Sequence, residues 1–176
     1  MVTLTRTSHI RPDDGFAPQA RALLNEAYPE GAPHELEGYY STHGFPTTTI
    51  LLSEKRKLVG HLAIFERLIK IGTEGLRVGL IGEVAVAADC RGQGLARGLV
   101  HHAHEYLQER SIPFSLLFAY EPRVYSSSGY KLMQNQMRFL DRDGQWKSLV
   151  YRGSMYAELS GRPWPNEPID LCGRTI

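Results

Sequence analysis

The chain has 176 residues, 20 Lys+Arg against 19 Asp+Glu and a formal net charge of +1, with 42% hydrophobic and 22% charged residues. This is the size and make-up of one ordinary globular domain with a buried core, and its balanced charge supplies no global field to recruit nucleic acid or an anionic membrane. The two cysteines, Cys90 and Cys172, fit no zinc or redox spacing, and no apolar run suits a secretion signal or a membrane span; a cytoplasmic protein with free thiols is expected.

No repeat, low-complexity tract or linker interrupts the sequence, which predicts a single domain over residues 1–176. Residues 2–10 predict a short strand. Asp13 or Asp14 can cap a helix through Ala20, Leu23, Leu24 and Ala27, spaced for one buried face and stopped by Pro29, Gly31 and Pro33. A shorter helix is predicted over 34–42. Three strands follow, over 47–53, 58–71 and 76–87, the last two joined by a turn at Gly72 and Gly75. They form an antiparallel meander that runs into a glycine cluster. From Leu95 the period becomes helical, with Leu95, Ala96, Leu99, Val100, Ala103, Tyr106 and Leu107 on one face and Arg97, His101, His104, Glu105 and Gln108 opposite. Residues 111–113 break that helix, 114–119 predict a buried strand, and 122–128 one or two helical turns. Residues 130–140 and 146–156 predict a closing strand pair around Asp143-Gly144, and the Pro-rich tail, 161–176, is expected to pack as coil. The class is α+β: a mixed, mainly antiparallel sheet flanked by helices.

The cluster between strand and helix reads Cys90-Arg91-Gly92-Gln93-Gly94-Leu95-Ala96-Arg97-Gly98. Glycine lets backbone turn sharply and bring its N–H groups close to a ligand. A helix start leaves its first N–H groups without intrahelical partners and carries partial positive charge, so phosphate oxygens are favoured there. Arg91 and Arg97 add full charges. A Walker loop is excluded because no G-x-x-x-x-G-K-[ST] string occurs, and a dinucleotide fingerprint is excluded because Arg97 stands where its third glycine belongs. The plain alternative is a glycine-rich helix entry with no ligand.

The string R-G-Q-G-L-A resembles the pyrophosphate loop, [QR]-x-x-G-x-[GA], of the GNAT superfamily of acyl-CoA-dependent N-acyltransferases. Glu83-Val84-Ala85-Val86-Ala87 resembles that superfamily's fourth strand. Tyr125-Ser126-Ser127-Ser128-Gly129-Tyr130 resembles its Y-x-x-x-G-[FY] element, with Tyr where Phe is commoner. The likeness spans roughly residues 58–140 in order and spacing. One departure is the stretch Phe118-Ala119-Tyr120-Glu121-Pro122, which lacks the Asn that many members place against the pantetheine arm. A finer likeness, through Gly60-His61, Arg67, Ile69-Lys70, Gly72, Trp164-Pro165 and Ile169-Asp170, is to bacterial nodulation-factor N-acyltransferases.

The resemblance implies a single GNAT-type domain whose sheet is splayed between its fourth and fifth strands. It implies acetyl-CoA as co-substrate, with no metal. Backbone N–H groups of Val84, Ala85 and Val86 would hold the pantetheine and polarise the thioester, and Arg91, Gly92, Gln93, Gly94, Leu95, Ala96 and Arg97 would hold the phosphates. The nucleophile must be a neutral amine, yet a free alkyl ammonium has a pKa near ~10.4 and must first lose a proton. Glu83 is the first candidate base, with His61 or water as alternatives and a solvent-facing or Arg-paired Glu83 as the plain reading. Tyr125 is the candidate acid, against a packing role at a helix end. Direct transfer of acetyl to a primary amine of a small molecule or peptide is the first reading. A longer-chain acyltransferase acting on an amino sugar and a non-catalytic CoA-binding sensor are the others, and a homodimer is compatible with all three.

From Ala22 to Glu54 there is no Lys or Arg, whereas Glu26, Glu30, Glu35 and Glu37 are interleaved with Tyr28, Tyr39, Tyr40 and Phe45. In the superfamily this region lines the acceptor cleft. Glu35, Tyr39 and Tyr40 are therefore the candidate acceptor-binding residues, since an acidic, aromatic wall suits a cationic amine; a solvated helix face is the plain alternative. His101, His102 and His104 read as a solvated helix face rather than metal ligands, and neither cysteine has an adjacent His to make it a nucleophile.

Overall fold

Aliphatic and β-branched runs become strands throughout the computed structural model, which describes residues 2–7, 15–29, 46–141 and 143–176. Along the chain these residues form β1 (Val2–Thr7), α1 (Ala17–Ala27), β2 (Thr48–Glu54), β3 (Lys57–Ile71), β4 (Glu74–Val86), a 3-10 turn (Ala88–Cys90), α2 (Leu95–Glu109), β5 (Phe114–Phe118), α3 (Arg123–Ser126), β6 (Lys131–Leu132), β7 (Met137–Leu140), β8 (Trp146–Leu149), β9 (Ser154–Glu158) and β10 (Ile169–Arg174). The architecture is α+β, with a mostly antiparallel sheet and helices, as the sequence predicts. The chain divides into two compact units, Met1–Phe65 with Ile81–Ala103, and Glu66–Leu80 with His104–Ile176.

In the first unit β1, β2 and β3 pair antiparallel, with Leu4 opposite Leu52 and Leu51 opposite His61. Gly60 of β3 permits close packing, because a Cβ there would lie 3.2 Å from Leu52 of β2 and Leu99 of α2. Helix α1 buries Ala20, Leu23 and Leu24 as expected, together with Ala17, while Ala27 is half-buried. Its start differs from the expectation. The N-cap is Phe16, with no side-chain capping bond and a proline in the first turn, so the preset φ of Pro18 stands in for a polar cap. Asp13, Asp14 and the helix predicted over 34–42 lie outside the described residues.

The second unit carries the strand order β6-β9-β5-β4-β3-β10-β7-β8. Three expectations are corrected here. The tail is not all coil: β10 inserts between β3, antiparallel with Ile169 opposite Ile71, and β7, parallel with Ile169 opposite Met137. Ile169 and Leu171 supply two buried positions in period two, too short a signal to read through the prolines before it. Asn135 holds the approach, its Nδ2 donating to Pro165 O at 2.9 Å and Glu167 O at 2.7 Å while Trp164 Nε1 donates to its Oδ1 at 2.8 Å. The predicted closing pair also divides. β7 pairs β8 around the Gly144 turn, whereas β9 pairs both β5 and β6, with Leu132 opposite Met155. Finally, Gly75 lies inside β4, and the turn before it rests on Gly72 at φ +57°.

Gly153 is where the chain leaves the β7–β8 hairpin for β9. It holds φ +83°, its carbonyl accepts from Ala119 N–H at 2.9 Å, and a Cβ added to it would stand 2.2 Å from Ala119 O. Backbone cannot yield as a side-chain tip can. Gly153→Ala is expected to destabilise the fold by about 2–4 kcal/mol, combining left-handed strain with the clash. Denaturant unfolding of the variant against the wild type measures it, and an unchanged midpoint would contradict this geometry.

Candidate active site

The site in the first unit begins at Glu83 of β4, where a single residue breaks the extended geometry of an otherwise continuous strand. Glu83 stands inside that strand at φ +54°, a left-handed conformation that costs a non-glycine residue about 1–3 kcal/mol. The surrounding structure must therefore hold it. His61 of β3, fully buried, sets its Nδ1 2.8 Å from the Glu83 carbonyl oxygen. A carbonyl only accepts, so Nδ1 carries the proton, and in the neutral ring Nε2 is the acceptor nitrogen. The Glu83 side chain is buried, 7% exposed, and does not face solvent.

Beyond the break the strand end is fastened by three further bonds. Tyr28 Oη donates to Val84 O at 2.8 Å, Arg91 Nε donates to Val86 O at 3.1 Å, and Ala87 N–H donates to Val59 O at 3.0 Å. Glu83, Ala85 and Ala87 are buried and Val84 and Val86 half-buried, so the strand keeps its alternation past the break.

The 3-10 turn then delivers the chain to Arg91, Gly92, Gln93 and Gly94, all exposed. Gly92 and Gly94 hold φ +76° and +77°, and nothing lies within 4 Å of where a Cβ would stand on either. Left-handed glycines and open space are what a backbone cradle for a ligand requires. Gly98 N–H donates to Gly94 O at 3.0 Å, which starts α2 on Gly94. A helix begun there leaves the N–H groups of Gly94, Leu95, Ala96 and Arg97 without intrahelical acceptors. Arg91 is tied back as well as charged: besides Val86 O, its guanidinium lies 3.9 Å from Glu26 Oε1 of α1. Arg97 is exposed on the first turn of α2. Open glycines, helix-end N–H groups and two arginines together fit a pyrophosphate.

Cys90, beside this loop, is a free thiol whose pKa is pushed up by burial and then by the Asp89 carboxylate, which makes it a poor nucleophile. Cys172 is free and exposed. Among the described residues no group of three or more His, Cys, Asp or Glu could hold a metal ion, and no helix is long and apolar enough to cross a membrane.

In the second unit Tyr125 sits on α3, half-buried, with its ring edge-on to Tyr130 at 6.1 Å between centroids. Burial raises the pKa of its hydroxyl. Tyr130 is buried, and its hydroxyl lies 2.5 Å from Ser115 Oγ and 3.1 Å from His104 Nε2; burial likewise pushes its pKa far up. His104 is therefore half-buried against Tyr130 rather than on a solvated face, a correction forced by the phenol that replaces the commoner Phe. In the stretch lacking the Asn, Ala119 N–H donates to Gly153 O and Tyr120 is 89% exposed. Glu83, Val84, Ala85, Val86 and the loop from Arg91 to Arg97 thus belong to one unit and Tyr125 to the other. Glu35, Tyr39 and Tyr40 lie outside the described residues.

A family model described as an acetyltransferase (GNAT) domain matches residues 10–133. The chain belongs to this family. Among solved structures it is similar to a GNAT family N-acetyltransferase from Escherichia coli in complex with CoA, at 19% identity, TM-score 0.63, and 97% of this chain against 91% of that one. It is similar also to a GNAT family acetyltransferase from Brucella melitensis in complex with acetyl-CoA, at 16% identity, TM-score 0.61, with 95% and 94% covered. A probable N-acyltransferase from Enterococcus faecalis V583 matches at 12% identity and TM-score 0.60 over 76% of this chain, which spans only 33% of that longer protein. At these identities the structures establish the shared fold. No curated protein matches, and the finer likeness to nodulation-factor enzymes gains no support from these relatives.

In this candidate site the roles of His61 as fastener of Glu83 and of Tyr28 as a clamp on Val84 are not those the sequence suggests, because both act on backbone carbonyls. His61→Leu removes the donor to a buried carbonyl and is expected to cost about 1–3 kcal/mol of stability. His61→Asn, whose Nδ2 can take the place of Nδ1, is expected to recover a measurable part. Equal losses in the two variants, read by chemical denaturation, would show that the hydrogen bond does not hold the break.

Proposed function

We propose that the chain is an acyl-CoA-dependent N-acetyltransferase that moves an acetyl group to a primary amine of a small molecule or peptide. The observation that supports this most directly is the open cradle of Gly92 and Gly94 between the end of β4 and the start of α2. When bound, acetyl-CoA supplies an acyl group activated as a thioester. Backbone N–H groups from Arg91 through Arg97 bind its phosphates, and the two guanidinium groups neutralise them. The N–H groups of Val84, Ala85 and Val86, held by the bonds on Glu83, Val84 and Val86, orient the pantetheine arm and polarise the thioester carbonyl.

Glu83 takes a proton from the acceptor ammonium, directly or through water, and the neutral amine that results is the nucleophile. With Nδ1 donating to the Glu83 carbonyl, His61 keeps Nε2 as an acceptor nitrogen and is the second candidate for the base. Tyr125 holds a proton at its hydroxyl for the departing sulfur, and its raised pKa keeps that proton in place across the neutral range. Attack is direct, because the pushed-up thiol of Cys90 is a poor relay. Glu35, Tyr39 and Tyr40 select a cationic acceptor. The whole chain acts as one GNAT domain, in the cytoplasm, where acyl-CoA is made and used. Mass spectrometry of ligand retained through purification, followed by an amine screen with acetyl-CoA and longer acyl-CoAs, tests the reading. No CoA binding and no transfer to any amine would overturn it.

Gly94→Glu places a carboxylate in the cradle, and Gly94→Asn adds a side chain that tolerates the left-handed region and carries no charge. CoA affinity by calorimetry is expected to fall roughly a hundredfold in the Glu variant and far less in the Asn variant, about 2–3 kcal/mol separating them. Matching affinities would remove the loop from the phosphate site.

Tyr125→Phe keeps the ring and removes the acid. General acids contribute roughly 10²–10⁴-fold, and a thiolate leaves fairly well unaided, so kcat is expected to fall about a hundredfold with KM for acetyl-CoA little changed. The acid must be protonated to act, so the wild-type rate falls as pH rises through the Tyr125 pKa, which burial sets above its ordinary value near ~10. That basic limb should vanish in the Phe variant. A pH–rate profile identical to the wild type would make Tyr125 a packing residue.

A further inference from the structure

β8 ends the strand order of the second unit and pairs, among the described residues, only with β7. The hairpin turn sets its phase. Asp141 N–H donates to Gln145 O at 2.9 Å, and the register continues as Leu140 opposite Trp146, Phe139 opposite Lys147 and Arg138 opposite Ser148. Bonding alternates along an antiparallel ladder. Lys147 and Leu149 thus turn their backbone groups to β7, and Trp146 and Ser148 turn theirs outward. An outward row of N–H and C=O groups is a template for another strand.

The side chains on this edge do little to repel one. Trp146, Leu149 and Val150 are 48%, 42% and 51% exposed. The cations of β7 and β8 themselves are compensated, Lys147 by an ion pair with Asp141 and Arg138 by Asp170 at 2.7 Å, and Arg138 also lies 3.9 Å over the Trp146 ring. We propose that β8 pairs antiparallel with β8 of a second copy of this chain, about a two-fold axis through Ser148.

The register follows from symmetry and charge. A two-fold axis perpendicular to a continuous sheet keeps every side chain on its face, and directly opposed residues share a face. The axis must therefore pass through a residue. Through Lys147 it would set two ammonium groups in the closer, non-hydrogen-bonded pair. Through Trp146 or Leu149 it would draw turn residues, Gly144 or Arg152, into the ladder. Through Ser148 it opposes Trp146 to Val150, Lys147 to Leu149 and Ser148 to itself, and outward backbone groups meet outward backbone groups. This assembly lies beyond the acyl-transfer reading and does not depend on it.

Sedimentation velocity of the full chain, from low to high micromolar concentration, is expected to show a reversible dimer. Leu149→Lys opposes two ammonium groups twice per dimer, which should raise the dissociation constant about tenfold at like-charge costs typical of opposed strand pairs. Leu149→Glu opposes a carboxylate to Lys147 and should tighten the dimer. Leu149 is exposed, and thermal melting checks that each variant folds. A monomer at every concentration, or a dimer that does not respond to these two substitutions in opposite directions, overturns the proposal.

Discussion

The hydrogen bond from His61 Nδ1 to the carbonyl of Glu83 is the constraint on which the first unit's site depends. A strand left to itself would carry Glu83 in ordinary extended geometry, with its amides committed to the ladder. Holding one peptide in the left-handed region interrupts that regularity. The cost is met by a fully buried imidazole on β3, where no water competes for the carbonyl. Tyr28 and Arg91 then fasten the carbonyls of Val84 and Val86. Rigid placement of backbone N–H groups is what an electrostatic site needs, since donors that reorganise during reaction stabilise less.

The cradle that follows works on the same principle with different parts. Its glycines are conformational necessities at φ +76° and +77°, and the helix end provides donors that the helix itself cannot use. Arg91 belongs to both halves. It is exposed enough to meet an anion, yet its Nε is bonded to the last residue of β4 and its guanidinium leans toward Glu26. An arginine tethered in this way loses less side-chain freedom on binding than a free one.

The second unit is organised by buried polar groups that each find partners. Asn135 joins the chain before β7 to the chain before β10, with Trp164 stacked on Tyr156 and edge-on to Phe114 above it. Tyr130 does the same between Ser115 of β5 and His104 of α2. Such fully satisfied contacts specify one arrangement, because any alternative would leave a polar atom buried and unpaired.

Local pattern by itself determined the elements with a clear period and the loop whose chemistry is carried by residue type. The apolar face of α2, the meander of β2, β3 and β4, and the glycines before Leu95 are legible because each needs only neighbours in sequence: 3.6-residue spacing, alternation, or a residue without Cβ. Tertiary structure alone decided the rest. That Glu83 is strained and held by His61, that Tyr28 reaches Val84 across 56 positions, and that Ile169 to Arg174 form a strand are properties of distant segments meeting. No single segment encodes them, since a carbonyl looks the same in every residue and a six-residue strand exists only when its neighbours, β3 and β7, accept its hydrogen bonds.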